Sequence, residues 1–107
     1  MKAQGLHFDL KDNANRTPLH WATYQGSETA AIFLISWGAD IKNADSDLGM
    51  TPLHLAVSAG SIRLVRKLLL RGANKNVKDF SGRTPLDIAN DNKFDTIKSM
   101  LEDQRII

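Results

Sequence analysis

The sequence predicts an all-α fold built from one unit repeated three times: helix, turn, helix, projecting finger. The segment TPLHWATYQG at residues 17–26 returns as TPLHLAVSAG at 51–60 and as TPLDIANDNK at 84–93, offsets of 34 and 33 residues. A period in this range marks supersecondary units that bury their apolar faces by stacking on one another. Glycines recur at the same places in successive copies, at Gly26 and Gly60 and again at Gly38 and Gly72. With 107 residues, 42% of them hydrophobic, the chain can form one small domain with a limited core.

Each copy opens on Thr-Pro, at Thr17-Pro18, Thr51-Pro52 and Thr84-Pro85. Proline fits the first helical turn, where its missing N–H costs nothing, and the preceding threonine caps the free amides. The first helices are short, with Leu19 and Ala22, Leu53 and Ala56, and Leu86 and Ala89 at i, i+3. That spacing gives one apolar edge, and the small alanine permits close helix approach. Gly26 and Gly60 end the first two. Second helices are predicted over Glu28 to Trp37, Ile62 to Arg71, and Asp95 to about Gln104, with apolar pairs Leu34-Ile35, Leu68-Leu69 and Met100-Leu101. Leu69 is read as a core side chain of the central repeat. Gly38 and Gly72 supply C-terminal caps. The turn residues Asp45 to Gly49 and Asp79 to Gly82 then fit hairpin fingers, the former one residue longer. That extra residue is either a tolerated insertion or a specificity element.

TPLHWA, TPLHLA and TPLDIA, the GAD and GAN triplets, and the Asp-turn-Gly fingers together resemble the ankyrin repeat over nearly the whole chain. The resemblance implies a solenoid of stacked antiparallel helix pairs, with fingers at roughly right angles and a concave face. The expected layout is residues 1–16 as the end and finger of a preceding repeat, 17–50 and 51–83 as two full repeats, and 84–107 as a C-terminal capping repeat. Gly5 to Asp12 falls in register with Gly72 to Asp79, so the chain is expected to belong to a longer array. In the last copy Lys93 replaces the inter-helix glycine, Asp87 replaces the histidine, and no GAD triplet follows Leu101, as suits a capping unit.

Catalytic and metal chemistry find little purchase. There are no cysteines, which removes disulfides, thiolate catalysis and cysteine-ligated zinc. His20 and His54 hold one position of consecutive repeats, where the family uses imidazole to bond neighbouring loops, and His7 sits in the entry finger. Asp45 to Gly49 resembles a calcium loop only superficially, because the glycine offset is wrong and Ala56 stands where the closing Glu belongs. No phosphate-binding loop, dinucleotide fingerprint or Ser-His-Asp spacing occurs. No enzyme activity, cofactor or metal is therefore expected of this chain. Asn15-Arg16-Thr17 matches a glycosylation sequon but is read as a turn, with Asn15 at the finger position of Gly49 and Gly82 and a positive φ. No run of 18 apolar residues and no signal-peptide core occur, so an intracellular, cytosolic location is expected.

In a solenoid the repeated residues build the stack and the variable ones face a partner. The variable positions include Asn13, Ala14, Arg16, Tyr24 and Gln25, then Ser46, Asp47, Leu48, Met50, Ser58 and Ala59, then Phe80, Ser81, Arg83, Asp91 and Asn92. From these, with Trp21, the expected partner-binding set is Arg16, Trp21, Tyr24, Gln25, Asp47, Leu48, Met50, Phe80 and Arg83, because aromatic, Met and Arg side chains are enriched at interfaces. Tyr24, Met50 and Phe80 are expected to form one apolar row. Trp21 and Trp37 have packing against a neighbouring repeat as the alternative role. Charge is uneven: residues 61–83 carry a net +6, while 1–60 and 84–107 each carry −2 within a total of +2. The basic band centres on Arg63, Arg66, Lys67 and Arg71. It is either a solvated outer face or a contact for an acidic partner or an anionic membrane surface. Nucleic acid is not implied, and a monomer is expected.

The run LHWATYQG, the GAD triplet, GMTPLH and a last TPLDIAN are similar to the ankyrin region of DHHC-type protein S-acyltransferases. In that family the repeats precede transmembrane helices, and a Trp in an LHWA motif helps to hold substrate peptides. Trp21 is the matching position. The function expected first is a protein-interaction module that binds a peptide or folded partner through its fingers and concave face; the alternative is the cytosolic substrate-recruiting or regulatory region of a membrane enzyme whose catalytic domain lies outside this chain.

Overall fold

The computed structural model describes residues 11–13, 15–45 and 47–102. His7, most of the Gly5 to Asp12 register, the finger positions Ala14 and Ser46, and the helix end near Gln104 lie outside the described residues. Among the described residues six helices follow in chain order: α1 (Pro18–Tyr24), α2 (Glu28–Ser36), α3 (Pro52–Ser58), α4 (Ile62–Leu70), α5 (Pro85–Asp91) and α6 (Asp95–Glu102). Among the described residues there is no β-strand, and the fingers are hydrogen-bonded turns.

Thr17, Thr51 and Thr84 are the N-caps of α1, α3 and α5, each with proline directly after it. Each threonine hydroxyl accepts the backbone N–H three residues on, and the side chain of that residue, His20, His54 or Asp87, accepts the threonine N–H in return. This reciprocal box satisfies two otherwise orphaned donors at every repeat. After α5 the glycine position is held by Lys93, whose φ of 58° is left-handed like that of Gly26 and Gly60. A lysine in that region carries a backbone strain that glycine avoids.

The six helices form two layers. Within each pair the partners pack together, α1 with α2, α3 with α4, α5 with α6. Between pairs, α1, α3 and α5 make an inner layer and α2, α4 and α6 an outer one. Leu19, Leu53, Ile88, Ile35, Leu64, Leu68, Ile97 and Leu101 fill the space between layers and repeats, all buried. Burying such a side chain contributes about 1.5–3 kcal/mol. Of each apolar pair on the outer helices, one member is buried (Ile35, Leu68, Leu101) and the other only partly so (Leu34, Leu69, Met100). The expectation that Leu69 is a core side chain of the central repeat is refined by this register: Leu68 is fully buried, while Leu69 is partly buried and packs against the core. Antiparallel helix pairs stacked in sequence, with turns projecting between them, make an all-α solenoid.

Candidate partner-binding face

The fingers are built around three aspartates. Asp12 Oδ1 accepts the Arg16 N–H at 2.9 Å, Asp45 Oδ1 the Met50 N–H at 2.9 Å, and Asp79 Oδ1 the Arg83 N–H at 2.9 Å. Each carboxylate thereby closes its own turn. At the tips Asn15, Gly49 and Gly82 take φ of 62°, 72° and 82°, so the turn expected at Asn15 is present. The residue before each threonine then decides how the aspartate charge is met. Arg16 and Arg83 pair with their own Asp12 and Asp79, at 4.0 and 3.3 Å. Repeat two has Met50 there, and Asp45 receives the Arg16 Nε of the previous finger at 3.5 Å.

That substitution corrects one expected site residue. Met50 is only 8% exposed and joins the core, so its side chain is not an anchor for a partner. With no guanidinium to hold above the aspartate, a flexible apolar side chain fills the space behind the finger.

Six members of the expected set, Tyr24, Trp21, Arg16, Asp47, Leu48 and Phe80, are joined by a run of contacts. Tyr24 meets Trp21 edge-on, ring centroids 6.1 Å apart. The Arg16 guanidinium lies over the Trp21 ring at 5.4 Å, and the indole N–H donates to Asp12 Oδ2 at 2.9 Å. Arg16 Nη2 then reaches Asp47 Oδ2 in the next finger at 2.8 Å. Next to Asp47, the Leu48 carbonyl accepts the Phe80 N–H at 2.9 Å, and the Phe80 ring covers Gly49 so closely that a Cβ there would fall 2.4 Å from it. The longer second finger therefore supplies both ties, one to each neighbour. Trp21, Tyr24, Leu48 and Phe80 remain 39%, 61%, 48% and 70% exposed along this run. Ser58 and Ser81 are exposed as well.

Two expected residues play other parts. Gln25 is exposed and caps α1 through its backbone N–H. Arg83 is half-buried, bonded to Asp79 and 3.8 Å from Asp91, and its Nε is a buried donor without a partner among the described residues. Trp37 is the C-cap of α2, with its ring 5.1 Å from that of Phe33. Sequence reasoning missed Asp12, whose carboxylate orients both Arg16 and Trp21. Its recurrence with Asp45 and Asp79 was the available signal.

The histidines bind the repeats together. His20 Nδ1 accepts the Thr17 N–H, so Nε2 carries the proton and donates to the Met50 carbonyl at 3.0 Å. His54 does the same with Thr51 and the Arg83 carbonyl, at 3.0 Å. Burial pushes both imidazoles below their ordinary value, against the opposing pull of those carbonyls and of Asp45 and Asp79. Desolvation raises Asp79, but the N–H groups of Arg83 and Ser81 and the Arg83 guanidinium outweigh it and leave the carboxyl lowered. Among the described residues no group of three His, Asp or Glu side chains is arranged to hold a metal.

On the opposite layer, Arg63 pairs with Glu28 at 3.2 Å, and Glu28 also accepts the Ser61 hydroxyl. Arg66 and Arg71 are exposed and Lys67 is half-buried. Among the described residues no helix is long and apolar enough to cross a membrane.

Residues 39–89 match the family profile described as ankyrin repeats in many copies, and residues 14–47 match that of the single ankyrin repeat. The chain is 35% identical over 99 residues to palmitoyltransferase AKR1 of Debaryomyces hansenii, covering 92% of this chain and 12% of that protein. It is 39% identical over 80 residues to the putative palmitoyltransferase ZDHHC13 of Danio rerio, covering 75% and 12%. With rabankyrin-5 of Mus musculus it shares 37% over 97 residues, covering 80% and 8%. The chain thus spans no more than 12% of the length of any of these three relatives. Capped helix pairs, histidine ties between repeats and these matches agree on one assignment: the chain belongs to the ankyrin-repeat family.

Proposed function

We propose that the chain is a protein-interaction module that binds a peptide or folded partner across its fingers and first helices, with no chemistry of its own. The observation that carries this reading is the contact run from Tyr24 to Phe80. It holds four exposed large apolar side chains on a scaffold fixed by Asp12, Arg16 and Asp47. Aromatic anchors held rigid before binding lose little entropy on association, which is the usual make-up of a binding hot spot. An extended segment with spaced apolar side chains suits such a row.

A second reading is supported by Trp21. The LHWA motif and the similarity to proteins named as palmitoyltransferases favour a substrate-recruiting ankyrin region of a membrane S-acyltransferase, at the cytosolic face of its membrane. Trp21 then presents its exposed face to the substrate peptide while Asp12 and Arg16 hold the ring. The catalysis belongs to a domain outside these 107 residues.

The test is a proximity-labelling or peptide-library screen of the wild type against a Tyr24→Ala, Phe80→Ala double variant and a Trp21→Ala variant. Specific partners should be lost in the double variant while the melting temperature changes little, since both rings are largely exposed. Retention of every partner would move the binding surface elsewhere. Under the second reading Trp21→Ala alone removes S-acylation substrates from the captured set.

A further inference from the structure

Among the described residues the exposed large hydrophobic side chains divide between two surfaces. Trp21, Tyr24, Leu48 and Phe80 belong to α1 and the fingers, whereas Phe33, Trp37, Ile62 and Leu70 belong to α2 and α4 or, for Trp37, cap α2 in the outer layer. Between α2 and α4 the outer layer is recessed into a groove of about 320 Å³, lined by Ile32, Ile62, Leu70, Arg63, Arg66 and Lys67. No finger residue contributes to it.

Its make-up is particular to α4. Ile62, Arg66 and Leu70 recur every four residues and so share the outward face of the helix. In register, α2 has Glu28, Ile32 and Ser36, and α6 has Asp95 and Ser99. At the positions of Ile62 and Leu70 the neighbouring helices carry Glu28, Asp95 and Ser36, so stacking in this array does not require exposed apolar residues there. The cations are likewise underused. Arg63 has Glu28 at 3.2 Å, but among the described residues no carboxylate forms an ion pair with Arg66 or Lys67.

We infer that this groove is a second binding site, for an acidic peptide segment that inserts a large apolar side chain between Ile32, Ile62 and Leu70 and sets flanking carboxylates on Arg66 and Lys67. Charge complementarity selects the acidic ligand, and the recess selects a peptide. A lipid headgroup layer meets the cations, whereas a peptide side chain also rests on Ile32, Ile62 and Leu70 in the shallow recess. The two faces lie on different layers, so one partner can occupy the fingers while a second occupies the groove. The module then bridges two proteins.

The experiment is fluorescence anisotropy with a labelled peptide in which glutamates flank a leucine–phenylalanine pair. A version with serines in place of that pair is run in parallel, and co-sedimentation uses phosphatidylcholine vesicles containing phosphatidylserine. The acidic apolar peptide should bind saturably, more weakly as salt rises. Affinity should fall roughly tenfold or more, a change of about 1.4 kcal/mol, both for the serine peptide and for an Arg66→Glu, Lys67→Glu variant. The Tyr24→Ala, Phe80→Ala variant should bind it as the wild type does, which separates this site from the finger face. If charge reversal disturbs folding in thermal melts, Arg66→Ala with Lys67→Ala replaces it and should also weaken binding. Absence of saturable binding to the wild type, equal binding by a folded charge variant, or vesicle binding without peptide binding would overturn the proposal.

Discussion

The Nε2 atom of His20 lies 3.0 Å from the carbonyl oxygen of Met50, at the end of the following finger, while its Nδ1 accepts the N–H of Thr17. One imidazole thus caps its own helix and holds the next unit in place, and His54 repeats the arrangement toward Arg83. Both roles need a neutral ring with the proton on Nε2. Protonation places a second N–H against the Thr17 amide and breaks the box.

Stability should therefore fall as acid is added, beginning near the ordinary histidine value of 6.5. Both folded-state values are lowered, so below 6.5 the unfolded chain binds protons that the folded one refuses, and stability declines as pH decreases toward the folded values. Asp79, lowered from 3.8, adds a separate loss at lower pH, as protonation passes through its folded value. Thermal melts from pH 8 downward check this. A His20→Gln, His54→Gln variant should start less stable and lose the slope just below 6.5. An unchanged slope in that variant would show that other groups carry it.

Leu68→Ala should cost about 2–5 kcal/mol, because it empties a fully buried site between repeats. Leu69→Ala should cost roughly half as much, since part of that side chain is already in water. Denaturant midpoints decide, and equal costs would contradict the register.

The sequence carries the starts of α1, α3 and α5 to the residue, because Thr-Pro starts are local chemistry that tertiary packing does not override. It does not carry which member of Leu68-Leu69 is buried. Adjacent leucines differ by 100° around the helix, and only the position of the neighbouring repeat selects one. Met50 was illegible for a related reason. Its finger position marks it as variable and exposed, but the loss of the arginine found at 16 and 83 turns that position inward. Arg16 reads as a free contact residue in one dimension. In three it spans two fingers, a link that depends on Asp47 in the longer turn.

Gly49 combines a φ of 72° with the Phe80 ring lying where a Cβ would stand. Gly49→Ala should lose about 1–2 kcal/mol from the backbone alone, with a further loss from displacing the ring. Adding Phe80→Ala should remove the second part and leave the first. Urea denaturation of the two single variants and the double variant gives the coupling directly. Strict additivity would mean that the ring does not rest on Gly49 in solution.

On the proposed reading Arg16 positions the binding face without being its main contact, and its removal distinguishes the two roles. It touches Asp45 and Asp47 in the second finger and the Trp21 ring in the first repeat, so Arg16→Ala cuts the tie between fingers and uncovers the indole. Partly exposed ion pairs contribute little, so the stability loss should stay near roughly 1 kcal/mol. Order at Trp21 should suffer more. In a Trp37→Phe background the remaining tryptophan reports on that site alone, and acrylamide should quench it more readily once Arg16 is gone. Partner affinity should fall several-fold, about 3- to 10-fold, through loss of preorganisation. Arg16→Lys should rescue poorly, because a single ammonium cannot stack on the ring and bond Asp47 at the same time. Unchanged quenching and unchanged binding in Arg16→Ala would mean that Trp21 is held by Asp12 alone, through its 2.9 Å indole hydrogen bond, and that the link between fingers has no part in recognition.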